Sequence, residues 1–393
     1  MAAREKIAGL GHRARNFWRR VTEGLELEEL WAQFASEARA SYGLYSRDVD
    51  WEAVHRASRW RRPLYAARAL FWVLLMKLSP ARRVLLLVAI VLLFVSGIQF
   101  RYGQSFQFRV GEHGGLAALL LFLLLALELA DRVTMKRDLE IAREIQHWLV
   151  PATPPVVPGV DIAFATRPAN TVAGDYYDAF FRPTADGTAG SALGAGRLLV
   201  VVADVAGKSV PAALLMATFQ ASLRALATLP TSLAELVQGL NRYSCAHSLE
   251  GRRFTTAFFA ELDSATRALT YINAGHNAPL LRRASGGFER LEAGGLPLGI
   301  EPRAGYDSAR VTLAPGDLLV IFTDGVIEAV NEGDEEFGER RLEAHFRAPG
   351  QGSTTPPGPT AKETLAGLMT AVDGFVRAAR QHDDITCLIL RVA

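Results

Sequence analysis

Two apolar runs lie close together in the first third of the chain. Residues 84–100 form a run of 17 without a charge, and residues 116–127 are apolar throughout. A helix that spans a bilayer needs about 20 apolar residues. A leucine-rich helix that is apolar all round has no polar face for water, which argues against a hairpin buried in a soluble domain. Joined by the polar residues 101–115, the runs predict a two-helix transmembrane hairpin over residues 84–130.

Basic residues on either side of the two runs predict their orientation. Seven lysines and arginines lie between residues 59 and 83, and Arg132, Lys136 and Arg137 follow the second run. The segment between the runs has only Arg101 and Arg109. Because positively charged flanks stay in the cytoplasm, both termini are predicted to be cytoplasmic, with lipid as a partner. Residues 1–80 contain no ligand motif and are predicted to be a cytoplasmic helical region.

The segment 131–150 is predicted to be a linker helix. Leu139, Ala142 and Leu149 recur at heptad-like spacing, with Ile145 beside them. This pattern fits a short coiled coil that makes a homodimer, and it fits equally a single amphipathic helix docked on the next domain. Four prolines between residues 151 and 158 end the helix and mark a domain boundary.

From about residue 159 the pattern changes to strands interrupted by helices. The predicted strands are 197–204, 255–262, 268–273, 317–323 and 385–392. One predicted helix begins at Pro211, and a second covers 232–247 with Thr231 or Ser232 as its N-terminal cap. Two more helices are predicted over 340–346 and 362–380. A loop rich in proline, glycine, serine and threonine is predicted at 348–359. Residues 159–393 are therefore predicted to form an α+β domain whose sheets are covered by helices.

Composition and charge exclude several classes of protein. Hydrophobic residues make up 50% of the 393 residues and charged residues 21%, which excludes wholesale disorder. Two cysteines exclude a disulfide scaffold and a zinc–cysteine cluster. The formal net charge of +2 divides into +7 for residues 1–83 and −5 for the rest. This distribution favours contact with a membrane surface over binding to nucleic acid.

Several aspartates lie at the ends of predicted strands, and two more lie in one short string before the first of these strands. Asp175 and Asp178 belong to the string AGDYYD, Asp204 ends LLVVVAD, Asp324 follows LLVIFT, and Asp383 and Asp384 directly precede ITCLILRV. Any one of them could be a turn residue or a helix cap. Several carboxylates that converge at one sheet edge repel each other, and hard divalent cations such as Mg²⁺ or Mn²⁺ relieve that repulsion. The sequence therefore predicts a site for divalent cations.

Other chemistries fit less well. A cysteine phosphatase needs an arginine six positions after its thiolate, where Cys245 and Cys387 have Gly251 and Ala393. The string Gly207-Lys208-Ser209 lacks the earlier glycine of a phosphate-binding loop. A nucleotidyl cyclase would use Asp175 and Asp204 but leave the other acids unexplained. His276 could be a general acid, although a histidine in such a turn is more often structural.

Several strings in the chain resemble one known family. They are AGDYYD, VADVAGKSVPAALLMA, TTAFFAELD, YINAGHNAPLLRR, GLPLGI, LLVIFTDGVIEA and HDDITCLILRV. Together they resemble the SpoIIE/RsbU-type serine phosphatases of the metal-dependent protein phosphatase (PPM) superfamily, over roughly residues 140–393. The resemblance implies a β-sandwich flanked by helices on both faces, an α-β-β-α fold. It also implies a bacterial protein, which would place the predicted two-pass anchor in the inner membrane.

The resemblance also implies roles for single residues. Two Mn²⁺ or Mg²⁺ ions would be held by Asp175, Asp204, Asp324 and Asp383, with the Val205 carbonyl as a backbone ligand. A water that bridges the metals would attack phosphorus. Asp178, Asp384 and His276 are secondary candidates. The chain departs from the family pattern at Ala206, where serine is common, and at Ser209, where glycine is common.

The substrate implied by the resemblance is phosphoserine or phosphothreonine on an anti-sigma-factor antagonist of the STAS type. The alternative from a different class is a catalytically silent, membrane-tethered adaptor. It is disfavoured because every carboxylate expected of the family is present.

Overall fold

The fold is known from a computed structural model that describes residues 31, 49, 51, 54, 60–96, 99–102, 106–109, 113–183, 197–247, 253–347 and 359–393. Most of residues 1–59, and with them most of the predicted cytoplasmic helical region 1–80, lie outside these ranges, as does nearly all of the predicted loop 348–359. The chain divides into two units, Met1–Val133 and Thr134–Ala393, which are described separately.

The first unit contains three helices and a pair of short strands among its described residues. These elements are α1 (Arg62–Lys77), α2 (Pro80–Val95), β1 (Gln99–Tyr102), β2 (Phe106–Arg109) and the start of α3 (Gly114–Leu149). The two strands pair antiparallel within the segment predicted as a polar loop. Arg82 on α2 donates to Asp131 (2.6 Å) and Glu128 (3.3 Å) on α3. These ion pairs hold α2 against α3 within this unit.

The predicted transmembrane hairpin over residues 84–130 is not supported by these helices. Within the described ranges, no helix combines the length and the apolar character that crossing a membrane requires. Helix α2 has 16 residues, which at 1.5 Å each span about 24 Å, less than the roughly 30 Å hydrocarbon core. The second apolar run is part of α3, which continues through Glu128 and Asp131.

Helix α3 joins two segments that the sequence analysis treats separately. It covers 36 residues and includes both the second apolar run and the predicted linker helix. No proline or glycine interrupts the chain between residues 116 and 149, so the helix has no reason to end at residue 130. In its last turns Ile141, Ile145 and Trp148 are exposed, whereas Val150, just beyond its end, packs against the domain core.

The second unit is built from two sheets, the first mixed and the second antiparallel. The strands are β3 (Val160–Arg167), β4 (Tyr176–Arg182), β5 (Arg197–Val205), β6 (Thr255–Asp263), β7 (Ala268–Ala274), β8 (Leu280–Arg282), β9 (Phe288–Arg290), β10 (Gly294–Gly295), β11 (Ala309–Thr312), β12 (Leu318–Phe322) and β13 (Ile385–Val392). The first sheet has the order β10-β7-β6-β5-β4 with β11 beside β7, and the second has the order β3-β13-β12-β8-β9. The helices are α4 (Ser209–Leu226), α5 (Leu233–Ala246), α6 (Asp324–Ile327), α7 (Gly338–Arg347) and α8 (Ala361–Val376).

Strand β5 shows how the layers form. Its side chains alternate between two cores because successive residues of a strand point to opposite faces. Leu198, Val200 and Val202 belong to the core between the two sheets, and Leu199 and Val201 belong to the core shared with α4 and α5. A third core packs the second sheet against α7 and α8. The predicted α-β-β-α sandwich is thus confirmed for the described residues of this unit.

Candidate metal centre and active site

The predicted acidic residues come together where strands of the two sheets end. Asp175 directly precedes β4, and Asp204 is the second-last residue of β5, both in the first sheet. Asp324 follows β12 after one residue, and Asp383 and Asp384 directly precede β13, both in the second sheet. Each sheet therefore supplies carboxylates to one shared edge of the sandwich.

A cavity of about 260 Å³ opens at this edge. Asp204, Asp324 and Asp383 line it together with Val205 and His276. The remaining lining residues are Ala206, Gly207, Lys208, Phe254, Thr256, Gly275 and Asn277. The structure thus brings three of the four aspartates predicted as ligands to one open space.

The fourth aspartate, Asp175, is buried beside the cavity. The residue is 5% exposed, and its carboxylate accepts a hydrogen bond of 2.9 Å from the Thr323 hydroxyl. Burial raises the pKa of Asp175 well above its usual range, and the neighbouring Asp204 raises it further. Asp175 is therefore close enough to Asp204 for the two charges to oppose each other.

The carboxylates around the cavity repel one another. Burial, with the charges of Asp324 and Asp383, raises the pKa of Asp204 to about 7. Burial and Asp383 also raise the pKa of Asp324. Groups of like charge in a partly buried site hold their protons unless a cation compensates them. The cluster is therefore suited to bind positive charge.

Lys208 supplies some of that positive charge. Its ammonium lies 2.9 Å from an Asp383 carboxylate oxygen and donates to the His382 carbonyl at 2.7 Å. The hydrogen bond with Asp383 raises the pKa of Lys208. The next residue, Ser209, has φ 62°, in the left-handed region that favours glycine, so the departure from the family pattern falls on a strained position.

Asp384 faces the backbone near Asp175. One carboxylate oxygen accepts from the Ala169 N–H (2.7 Å) and the other from the Gly174 N–H (2.6 Å). Its own carbonyl oxygen lies against Gly325, where an added Cβ would come within 2.0 Å of it. Only glycine fits there, and Asp384 supports the loop in front of β4.

Asp178 lies elsewhere. Its carboxylate is fully buried and accepts from Arg224 Nε (2.7 Å) and Nη2 (2.8 Å) on α4, and the Tyr176 hydroxyl also donates to it. It is not among the residues that line the cavity. The structure therefore places this secondary candidate between β4 and α4 and away from the other acids.

His276 lines the cavity but is held as a structural residue would be. Its Nδ1 lies 3.0 Å from the Thr256 hydroxyl, and its backbone N–H donates to the Asn273 side chain at 2.7 Å. Burial lowers the pKa of His276 to about 4, so its imidazole is neutral at pH 7. Its Nε2 is buried, with no hydrogen-bond partner in the described part of the chain. This geometry favours the structural interpretation over a general acid.

The residues present fit a divalent cation by their chemistry. Within the described ranges, no group of three or more His, Cys, Asp or Glu side chains has the arrangement of a metal-binding cluster. The donors at the cavity are nevertheless oxygen atoms, which Mg²⁺ and Mn²⁺ prefer. Four carboxylates whose repulsion is only partly offset by Lys208 are the kind of donor set that such ions stabilise.

Two residues at this edge carry roles that the sequence reasoning missed. Thr323 holds Asp175 across the two sheets, and Lys208 pairs with Asp383. In the sequence, Lys208 stands out only within an incomplete phosphate-binding loop, and its position next to Gly207 is the available signal. For Thr323, nothing but its place beside Asp324 could have indicated the contact.

Comparisons with known proteins agree with this architecture. The SiaA-PP2C domain of Pseudomonas aeruginosa superposes with a TM-score of 0.55 at 21% identity, covering 67% of this chain and 99% of that domain. Protein IcfG of Synechocystis sp. is 29% identical over 291 residues, 67% of this chain and 43% of IcfG. Phosphoserine phosphatase RsbU of Bacillus subtilis is 27% identical over 302 residues, 76% of this chain and 78% of RsbU.

The structural similarity shows a PP2C-like fold. The chain spans less than half the length of IcfG. The family model described as Stage II sporulation protein E (SpoIIE) matches residues 194–393, half of the chain. The chain therefore belongs to the SpoIIE family, the SpoIIE/RsbU-type branch of the PPM superfamily.

Proposed function

We propose that this chain is a metal-dependent protein phosphatase that hydrolyses phosphoserine or phosphothreonine on a signalling protein. The observation that carries the proposal is the meeting of carboxylates from both sheets at one open cavity. Membership of the SpoIIE family supports it, as does similarity to RsbU, a phosphoserine phosphatase by name.

We assign the cation ligands to Asp175, Asp204, Asp324 and Asp383, with the Val205 carbonyl as a backbone ligand. Two Mn²⁺ or Mg²⁺ ions, when bound, supply charge neutralisation for the phosphate and lower the pKa of a water. Thr323 and Asp384 hold the segment that carries Asp175. Lys208 presents an ammonium group at the cavity, where it attracts an anionic ester.

Replacing Asp204 or Asp324 by asparagine tests the proposal. Both substitutions keep the side-chain shape and remove one negative charge from the cavity. Each should abolish Mn²⁺-dependent phosphate release from a phosphoprotein, while circular dichroism stays as in the parent chain. Asp307→Asn, at an exposed aspartate outside the cavity, is the control and should keep full activity.

Full activity in either cavity variant would overturn the assignment. Cyclic nucleotide released from ATP, with no phosphate released from any phosphoprotein, would instead favour a nucleotidyl cyclase. Manganese binding without turnover of any phosphoprotein would favour the silent adaptor.

The proposed substrate is a phosphorylated STAS protein that antagonises an anti-sigma factor. Its support is the family resemblance of the motifs around the cavity. Phosphate release by the chain from candidate phosphorylated STAS proteins of the same genome would identify it. A chain that hydrolyses other phosphoproteins but none of these would contradict the substrate and keep the phosphatase.

Two further features stay predictions from the sequence. One is a location at the bacterial inner membrane with both termini in the cytoplasm, which cell fractionation and protease accessibility would test. The other is a homodimer through the C-terminal part of α3, which light scattering would test.

A further inference from the structure

The side chain of Gln146, in the last turn of α3, makes two hydrogen bonds to the backbone of a single residue, Ala173, which is distant in sequence. Its Nε2 donates to the Ala173 carbonyl at 2.7 Å, and its Oε1 accepts from the Ala173 N–H at 2.9 Å. Both backbone groups of Ala173, which is itself buried, are therefore satisfied by one side chain. Such a contact fixes the position of the peptide and also its orientation.

The contacted residue lies two positions before Asp175. The intervening Gly174 donates to Asp384, and Asp175 accepts from Thr323. Three successive residues are thus each held by a different part of the chain: α3, residue 384 and residue 323. The segment has little spare room, because a Cβ on Gly174 would lie 3.2 Å from the Val205 carbonyl oxygen.

The chemistry of the contact requires glutamine. An amide supplies one donor and one acceptor at the same time, as the Ala173 peptide position needs. Glutamate would keep the acceptor but place a negative charge against the Ala173 carbonyl, and leucine would leave both buried backbone groups without this partner. Exposed neighbours on α3, such as Ile145 and Trp148, do not pack in its place.

We infer that Gln146 is a positioning residue for the cation site: by holding Ala173 it fixes where the Asp175 carboxylate stands relative to Asp204. This inference rests on the proposed metal-dependent function. Residues that orient metal ligands from behind typically change metal affinity by about 10- to 100-fold when they are replaced. Gln146 is not among the residues that line the cavity, so we expect it to act through the 173–175 segment that it holds.

The test compares the full chain with Gln146→Leu and Gln146→Glu, and with Glu144→Gln as a control at an exposed position of the same helix. Titration calorimetry with Mn²⁺ should give a dissociation constant raised about tenfold or more in Gln146→Leu, with a smaller rise in Gln146→Glu and none in the control. Excess Mn²⁺ should restore most of the turnover of Gln146→Leu, because the ligands themselves are intact.

Hydrogen exchange in the metal-free proteins gives a readout that is independent of activity. Amides of residues 173–175 should exchange faster in Gln146→Leu, while amides of β12 and β13 keep their protection. Unchanged exchange at 173–175, or an unchanged Mn²⁺ dissociation constant, would overturn the inference. If the parent chain itself neither binds Mn²⁺ nor releases phosphate, the proposed function fails, and the exchange result alone decides whether Gln146 positions this segment.

Discussion

At the scale of single residues, Asp204 has the most informative environment in the cavity. Its pKa is raised to about 7, first by burial and then by Asp324 and Asp383, from an ordinary value of 3.8. Between these two values the folded, metal-free protein holds a proton that the unfolded chain has released. The contribution of Asp204 to the free energy of unfolding therefore falls as the pH rises from about 4 to 7.

This linkage predicts that the metal-free chain melts at a lower temperature at pH 7.5 than at pH 5.5. Asp204→Asn removes the titrating group, so its melting temperature should depend less steeply on pH over the same range. Thermal unfolding of both proteins with a chelator present measures the difference. Identical pH dependence in the two proteins would mean that Asp204 ionises normally in the folded state.

The convergence of the acidic residues was predictable from the sequence, but the place of Asp178 was not. Asp204, Asp324 and Asp383 stand at the ends of predicted strands, Asp175 was identified from the family motif AGDYYD, and the structure brings all four to one edge. Asp178 could not be separated from Asp175 because both lie in one short string. An odd separation of three places side chains on opposite faces of an extended segment, and this explains why Asp178 instead meets Arg224.

At the scale of elements, the pairing of Asp178 with Arg224 connects β4 to α4. The carboxylate is fully buried, and the arginine is 42% exposed, so the pair is partly screened by water. Asp178→Asn should lower the free energy of unfolding by about 2 kcal/mol, because two charge-assisted hydrogen bonds are weakened. The Mn²⁺ dissociation constant should stay unchanged.

Chemical denaturation and Mn²⁺ calorimetry of the same variant check both expectations. Arg224→Ala should cause a similar loss of stability, and the double variant should lose little more, because both changes break one interaction. A weakened Mn²⁺ affinity in Asp178→Asn would instead indicate that Asp178 contributes to the cation site.

Strands with continuous apolar runs were predictable, whereas β4, whose apolar pattern is interrupted by charged residues, was not. The runs of β5, β12 and β13 are buried on both faces, and each was predicted to within two residues of its observed ends. Strand β4 was missed because a buried aspartate and arginine interrupt its apolar pattern, and each is satisfied by a partner distant in sequence. Local pattern alone contains no sign of those partners.

At the scale of the whole molecule, the α+β class followed from the pattern of strands and helices, and the sandwich from the family motifs. The described helices do not support the predicted transmembrane hairpin, because the length of an apolar run does not show where its helix begins and ends. In the first unit, α2 stops at Val95, whereas α3 runs on to Leu149 through charged residues.

Because each sheet supplies two of the proposed carboxylate ligands, a bound cation would stabilise the folded second unit as a whole. Mn²⁺ at 100 times its dissociation constant should raise the free energy of unfolding by about 2.7 kcal/mol. Thermal unfolding with and without Mn²⁺ measures this gain, and Asp204→Asn should lose most of it. An equal rise in the variant would indicate that Mn²⁺ binds outside the cavity.

The division of the carboxylates between two sheets has a mechanical consequence. The sheets are joined by an apolar core, which is non-directional and tolerates small slips between layers better than hydrogen-bonded strands do. A slip of one sheet along the other would separate Asp175 and Asp204 from Asp324 and Asp383 without breaking a single strand pair. We therefore expect the cation affinity of the proposed site to depend on the alignment of the two layers, and to change when apolar side chains far from the cavity are repacked.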